Sequence, residues 1–86
     1  MADGHVVEVE AFGVDDDAVA RIRTHPGVRS VLVETRGQAQ VVVVSAEPRA
    51  DVAPAVLAAL AGIRVGRVVT REPTLEDAYV ELVREG

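Results

Sequence analysis

The sequence AQVVVVSA at Ala39–Ala46 decides the fold. Four consecutive valines favour a β-strand, because β-branched side chains pack well on a pleated surface. Successive side chains of a strand point to opposite faces, so this strand is apolar on both of its faces. We therefore predict a sheet that has to be covered on both sides.

Upstream of this strand, the sequence predicts a strand, a helix and a second strand. Residues 5–12 alternate between apolar and polar side chains, as expected for a half-buried strand. Three aspartates precede apolar residues at helical spacing, which predicts a helix from residue 15 or 16 to about residue 24 that a Pro-Gly pair stops. Residues 28–35 form the next strand, and residues 36–38 join it to the valine-rich strand in a hairpin.

Downstream, the pattern predicts a second helix, a fourth strand and a final helix. The second helix covers residues 51–62, with Pro54 in its first turn, where a missing N–H costs nothing. Residues 65–71 form the fourth strand. Pro73 and Thr74 then begin a last helix, in which apolar residues recur at positions 75, 78, 79, 82 and 83.

The predicted order of elements is β-α-β-β-α-β, followed by one additional helix. The first six elements match the ferredoxin-like pattern, in which two crossovers place both helices on one face of a four-stranded antiparallel sheet. We therefore predict an α+β, ferredoxin-like fold with an additional C-terminal helix over residues 74–86. Residues 1–86 are expected to form a single domain, because a chain of 86 residues supplies one core.

The sheet face that the first two helices leave open is expected to carry an apolar patch. We place Leu32, Val42 and Val44 there, with Phe12 beside them. Either the C-terminal helix folds back over the whole patch, or it covers one part and a partner protein covers the rest. In both cases, deleting residues 74–86 should expose apolar surface.

Composition excludes several classes of function. The net charge of −5 leaves no basic surface to neutralise nucleic-acid phosphates or to bind an anionic membrane. The chain contains no cysteine, which removes thiolate metal sites and thiol nucleophiles. The valine run at residues 41–44, like the other apolar stretches of the sequence, is far below the ~20 residues of a membrane span. We therefore expect no nucleic-acid partner and no direct membrane insertion.

The side chains that could carry chemistry do not form a recognisable site. His5 and His25 lack further ligands at metal-site spacing, and the aspartates at 15–17 do not have the alternating pattern of a calcium loop. Ser30 and Ser45 lie in predicted strands, and the glycines form no phosphate-binding loop. We therefore predict no catalytic, cofactor-binding or metal-binding residues, and no enzymatic activity of this chain itself.

The segment REPTLEDAYVEL at residues 71–82 is the most specific motif. It resembles the closing segment of bacterial ABC-transporter ATP-binding subunits of the drug- and antibiotic-efflux type, similar to the daunorubicin-resistance ATPases. Those chains end in a pattern like E-P-[ST]-L-E-D-[VAI]-[FY]-[VL]-x-L. This chain matches the pattern, with Ala78 and Tyr79 where Val and Phe are commoner in the family. The turn at Pro26, Gly27 and Val28 is also similar to the C-terminal domain of that family.

The resemblance implies a non-catalytic interaction or regulatory domain of an efflux subunit whose parent couples ATP hydrolysis to export. ATP and magnesium would bind to the preceding part of that parent, and residues 1–4 would be an artificial start of an excised piece. The implied partners are its own nucleotide-binding domain, a symmetry-related subunit (a possible homodimer) or the membrane permease, which would hold it in the cytoplasm at the inner face of the membrane. The candidate interaction residues are those of the predicted apolar patch and those of the closing motif, namely Leu32, Val42, Val44, Glu72, Pro73, Leu75, Glu76, Asp77, Tyr79 and Leu82.

A second interpretation remains open. Stand-alone regulatory domains of the ACT type share the β-α-β-β-α-β order and bind small molecules at strand edges. A specific amino-acid ligand would raise the melting temperature of such a domain, because it binds only the folded state. An ATP-binding motif upstream in the native gene would instead favour the transporter interpretation.

Overall fold

The computed structural model describes residues 4–74 and contains one sheet and two helices. The strands pair antiparallel in the order β2-β3-β1-β4. The predicted α+β class and antiparallel sheet are confirmed, whereas the predicted C-terminal helix lies outside the described residues. The elements in chain order are β1 (His5–Phe12), α1 (Asp16–Arg23), β2 (Val28–Arg36), β3 (Ala39–Ala46), α2 (Ala53–Ala59) and β4 (Arg64–Arg71).

Helix α1 begins where the acidic run predicts. Asp15 is the N-cap, and its carboxylate accepts a hydrogen bond of 2.8 Å from the backbone N–H of Ala18. Asp16 and Asp17 occupy the first turn, where negative charge stabilises the helix dipole. The helix ends at its C-cap, Thr24, in agreement with the predicted boundary.

The β2–β3 hairpin is one residue tighter than predicted. Strand β2 continues to Arg36, which pairs with Ala39, so only Gly37 and Gln38 form the connection. Gly37 has a φ of +64°, a conformation that residues with a Cβ rarely adopt. This short turn sets a continuous register from Arg36 back to Ser30, and the register shifts only between Val28 and Ser30. The turn therefore determines which side chains share a face.

Helix α2 is shorter than the predicted range of 51–62. Its N-cap, Val52, has no side-chain oxygen to cap the helix, and Pro54 lies in the first turn as expected. At the other end, the N–H of Ala61 donates to the carbonyl of Ala58 three residues back, which tightens the last turn. The chain then reverses at Gly62, whose φ is +86°.

Both helices pack on one face of the sheet and form the main core there. Ile22 of α1 and Leu60 beside α2 are its largest fully buried side chains. They contact apolar residues of the three strands that lie beneath them. The buried members of this cluster are Val7, Val9, Ala18, Ile22, Val31, Val42, Val44, Ala46, Val52, Val56, Ala59 and Leu60.

Candidate functional site

The face of the sheet opposite the two helices is called the second face. The strand register arranges its side chains in four rows that run from β2 to β4. The first row is Ser30, Ser45, Val6 and Arg71; the second is Leu32, Val43, Glu8 and Val69; the third is Glu34, Val41, Glu10 and Arg67; the fourth is Arg36, Ala39, Phe12 and Arg64.

The prediction that Val42 and Val44 lie on the second face was wrong. Val42 pairs with Val9 and Val44 with Val7, and all four side chains belong to the core beneath the helices. A run of four valines predicts two on each face, but only the register with β1 shows which two. Val41 and Val43 therefore occupy the second face, whereas Leu32 and Phe12 lie there as predicted.

The second face has an apolar centre that is buried. Val6, Val41 and Val43 are 0%, 6% and 8% exposed, and half-buried Leu32 packs against them. No helix of residues 4–74 lies on this side of the sheet, because both described helices contribute to the opposite cluster. The predicted apolar patch on the second face is therefore confirmed at its centre, and its cover by the C-terminal helix or a partner stays a prediction.

A close ion pair borders this apolar centre where β4 ends. Arg71 Nε lies 2.6 Å from Glu8 Oε2, and the two side chains are only 30% and 27% exposed. Arg71 Nη1 also donates a hydrogen bond of 3.1 Å to the carbonyl oxygen of Glu72. Charge-assisted hydrogen bonds of this length are strong, so the pair holds the Arg71 side chain against the second face.

The opposite end of the second face is open and charged. The guanidinium of Arg64 lies 5.3 Å from the ring centroid of Phe12, a cation–π distance. Gly66 is the extra residue of a bulge in β4, and a Cβ there would lie 2.6 Å from Glu10 Oε1. A groove of about 280 Å³ lies in this region, lined by Glu8, Glu10, Arg36, Val41, Arg67 and Val69.

Strand β4 forms an exposed edge of the sheet. Within the described part of the chain it pairs only with β1, so it is one of the two outermost strands of the sheet. Three large apolar side chains are exposed among residues 4–74, namely Phe12 at 37%, Leu57 at 41% and Val68 at 42%. Val68 belongs to β4, Phe12 pairs with Arg64 of β4, and Leu57 lies on the helix that precedes β4.

The sequence alone did not identify this edge. Residues 64–71 alternate poorly, because Gly66 and the arginines interrupt the apolar pattern. The same interruption is the signal that could have indicated an exposed edge strand, since charge and bulges are common there.

Two of the polar side chains considered for chemistry make local hydrogen bonds to the backbone. The Nδ1 atom of His25 accepts a hydrogen bond of 3.1 Å from the backbone N–H of Gly27, and Asp15 caps α1. Ser30 and Ser45 lie in strands, as predicted. No group of three potential metal ligands occurs among the residues that the structure describes.

Part of the predicted interaction motif lies outside the described residues. Glu72 is exposed and Pro73 half-buried at the end of the described chain, whereas Leu75, Glu76, Asp77, Tyr79 and Leu82 follow it. Neither helix between residues 4 and 74 has the length and apolar character needed to cross a membrane.

Comparison with known protein families agrees with the resemblance seen in the sequence. A family model described as "ATP-binding protein DrrA1-3-like, C-terminal domain" matches residues 2–83. The match covers almost the whole chain, including the described sheet and the whole closing motif at residues 71–82. No curated protein matches the chain.

Proposed function

Because the chain belongs to the DrrA1-3-like family of C-terminal domains of ATP-binding proteins, we propose that it is a non-catalytic docking domain. It would serve a subunit that couples ATP hydrolysis to export, and it would regulate that subunit by joining it to another part of the transporter. ATP and magnesium would bind outside this domain. We also infer that the β2-β3-β1-β4 sheet with both helices on one face is a ferredoxin-like arrangement.

The observation that carries this proposal is the exposed edge at β4. A strand at the edge of a sheet can pair with a further strand, and the exposed side chains of Phe12 and Val68 border β4 on opposite faces of the sheet. Exposed apolar side chains beside a free strand edge commonly mark protein–protein contacts. We therefore assign the docking contact to β4 and the residues that border it.

The charges of this edge favour an acidic partner surface. Arg64 and Arg67 are exposed on β4, although the whole chain has a net charge of −5. If the β4 strands of two copies of the chain paired antiparallel about Arg67, the Arg67 side chains of the two copies would lie directly opposite each other. Like charges at opposite positions destabilise a sheet. A partner with aspartate or glutamate at the matching positions would instead form cross-strand ion pairs.

Three partners remain compatible with this chemistry. They are the nucleotide-binding domain of the same subunit, a symmetry-related subunit that contributes a different surface, and the membrane permease. Contact with a permease would place the domain in the cytoplasm at the inner face of the membrane. An experiment on the assembled transporter can distinguish these partners.

The test uses the full-length subunit together with its permease. Val68→Asp should weaken assembly at least tenfold, because it places a carboxylate in an apolar contact, while ATP binding to the preceding domain remains intact. Ala20→Asp is the matched control, since Ala20 is also exposed but lies on α1, which is not the proposed contact. Assembly and transport at the unmodified level in the Val68→Asp subunit would contradict the proposal.

The groove on the second face supports an alternative, ACT-like role. Glu8, Glu10, Arg36 and Arg67 present both signs of charge to the same groove, as recognition of a free amino acid requires. A thermal-shift screen with the common amino acids tests this role directly. A specific rise in melting temperature that Arg67→Ala abolishes would favour the alternative. The absence of a shift with any of the amino acids would leave the alternative without support.

A further inference from the structure

The cover of the second face does not come from either described helix. We propose that residues 75–86 of the same chain pack across this face as an amphipathic helix and exclude water from Val6, Val41 and Val43. This inference concerns how the chain folds back on itself and does not depend on the docking role of β4. It also withdraws the apolar centre of the second face from partner binding.

The burial pattern on the second face indicates a local cover. Val6 is completely buried in the row nearest the end of β4, whereas Phe12, at the far end of the same strand, is 37% exposed. Both side chains project from β1 toward the same face, and no helix of residues 4–74 lies above Val6. The cover therefore lies over the end of the sheet at which β4 terminates.

The chain leaves β4 at this same end. Arg71, the last residue of β4, is the register partner of Val6. Its guanidinium binds Glu8 on the second face and the carbonyl oxygen of Glu72, and Pro73 is half-buried. These contacts direct the following residues toward the most deeply buried part of the face.

The length of the remaining segment fits the width of the sheet. Twelve residues in an α-helix span about 18 Å. The three spacings between four strands amount to about 14 Å. Residues 72–74 can span roughly 10 Å when extended, which is enough to lift the chain from the sheet edge onto its face. A helix over 75–86 can therefore reach from β4 to Leu32 on β2.

The pattern and charge of the segment also match the second face. Its apolar residues recur at 75, 78, 79, 82 and 83, which forms one stripe on a helix. The segment contains four acidic residues and one arginine, a net charge of −3. The four rows of the second face contain four arginines and three glutamates, a net charge of +1. The apolar stripe thus has an apolar counterpart, and the charges are opposite.

A cysteine-labelling experiment tests the proposal, because the chain has no native cysteine. Val43→Cys is made in the 86-residue chain and in the same chain ended after Thr74. We expect the thiol to react at least tenfold faster with a small maleimide in the shortened chain. Val44→Cys, beneath the helices, should stay protected in both chains, and Val68→Cys should react rapidly in both.

Three results would overturn the proposal. Rapid labelling of the Val43→Cys variant in the full chain would show that the face is open. Equally slow labelling in the shortened chain, with Val44→Cys still protected, would show that the strand side chains cover the face by themselves. Protection that disappears on dilution would assign the cover to a second copy of the chain.

Paired substitutions keep the test valid if the shortened chain does not fold. In the full chain, Leu82→Asp places a charge in the apolar stripe and should accelerate labelling of the Val43→Cys variant. Val80→Asp adds the same charge outside the stripe and should leave the labelling rate within about twofold of the parent variant. Equal rates in the two double variants would contradict the proposal.

Discussion

Arg71 of β4 binds Glu8 of β1 diagonally across the strand pair, with Nε 2.6 Å from Oε2, although the register places Arg71 opposite Val6. The side chain thereby extends along the second face beside the apolar centre. The pair is about two-thirds buried, which limits its screening by solvent. It holds the last side chain of β4 on the second face.

The Arg71–Glu8 pair should therefore stabilise the fold measurably. A double-mutant cycle with Arg71→Ala and Glu8→Ala should give a coupling energy of about 1 kcal/mol, at the upper end for ion pairs near a surface. The control is the Arg36–Glu34 pair, whose closest N–O distance is 3.6 Å and whose side chains are more exposed. Its coupling should be about 0.3 kcal/mol or less. Equal couplings in urea unfolding would show that the geometry of the first pair adds nothing.

The two leucines near the end of α2 should differ sharply in their contribution to stability. Leu60 is fully buried in the main core, so Leu60→Ala should lower the free energy of unfolding by about 2–5 kcal/mol. Leu57 is 41% exposed, and Leu57→Ala should change it by less than about 0.5 kcal/mol. Thermal or urea denaturation measures both. A large loss for Leu57→Ala would mean that its side chain is buried in solution.

The N-cap of α1 gives a third prediction. Asp15→Ala removes the hydrogen bond to Ala18 and should lower the free energy of unfolding by about 1 kcal/mol. Asp15→Asn retains an acceptor oxygen and should preserve most of that stability. Asp17 lies in the first turn, two residues after the N-cap. Asp17→Ala should change the free energy of unfolding by less than about 0.5 kcal/mol. The assignment of Asp15 as the cap would be wrong if Asp17→Ala were the more damaging change.

Two glycines should respond differently to alanine for a purely steric reason. A Cβ on Gly27 would lie 2.5 Å from Ala50 Cβ, so Gly27→Ala should cost about 1–3 kcal/mol. A Cβ on Gly66 would meet the carboxylate of Glu10, which can rotate away. Gly66→Ala should therefore stay within about 1 kcal/mol of the unmodified protein. Similar melting temperatures for the two variants would contradict the close approach of Gly27 to Ala50.

Most of the secondary structure could be predicted from local signals. The alternation over residues 5–12 and the acidic run before α1 gave bounds that agree with the structure. Helix α2 was overestimated, because residues 51–62 have the composition of a helix but a tight turn ends it before Gly62. Propensity indicates where a helix can form, whereas capping and the turn determine where it stops.

The candidate surfaces could not be predicted from the sequence of a single strand, because they depend on how the strands pair and in which order they lie. The valine run predicts that both faces are apolar, but its pairing with β1 decides that Val42 and Val44 face the helices. The exposed edge at β4 follows from strand order, which brings distant segments together and leaves β4 outermost. The family relationship was accessible from the closing motif, because that motif is a sequence pattern.

Site-specific crosslinking in the assembled transporter tests the docking role of the β4 edge most directly. A photoreactive amino acid replaces Val68 in the full-length subunit, and the same amino acid replaces Ala20 as the control. Docking through the β4 edge predicts a crosslink from position 68 to the nucleotide-binding domain, a second subunit or the permease, and none from position 20. Equal or absent crosslinking at the two positions in a functional transporter would contradict it.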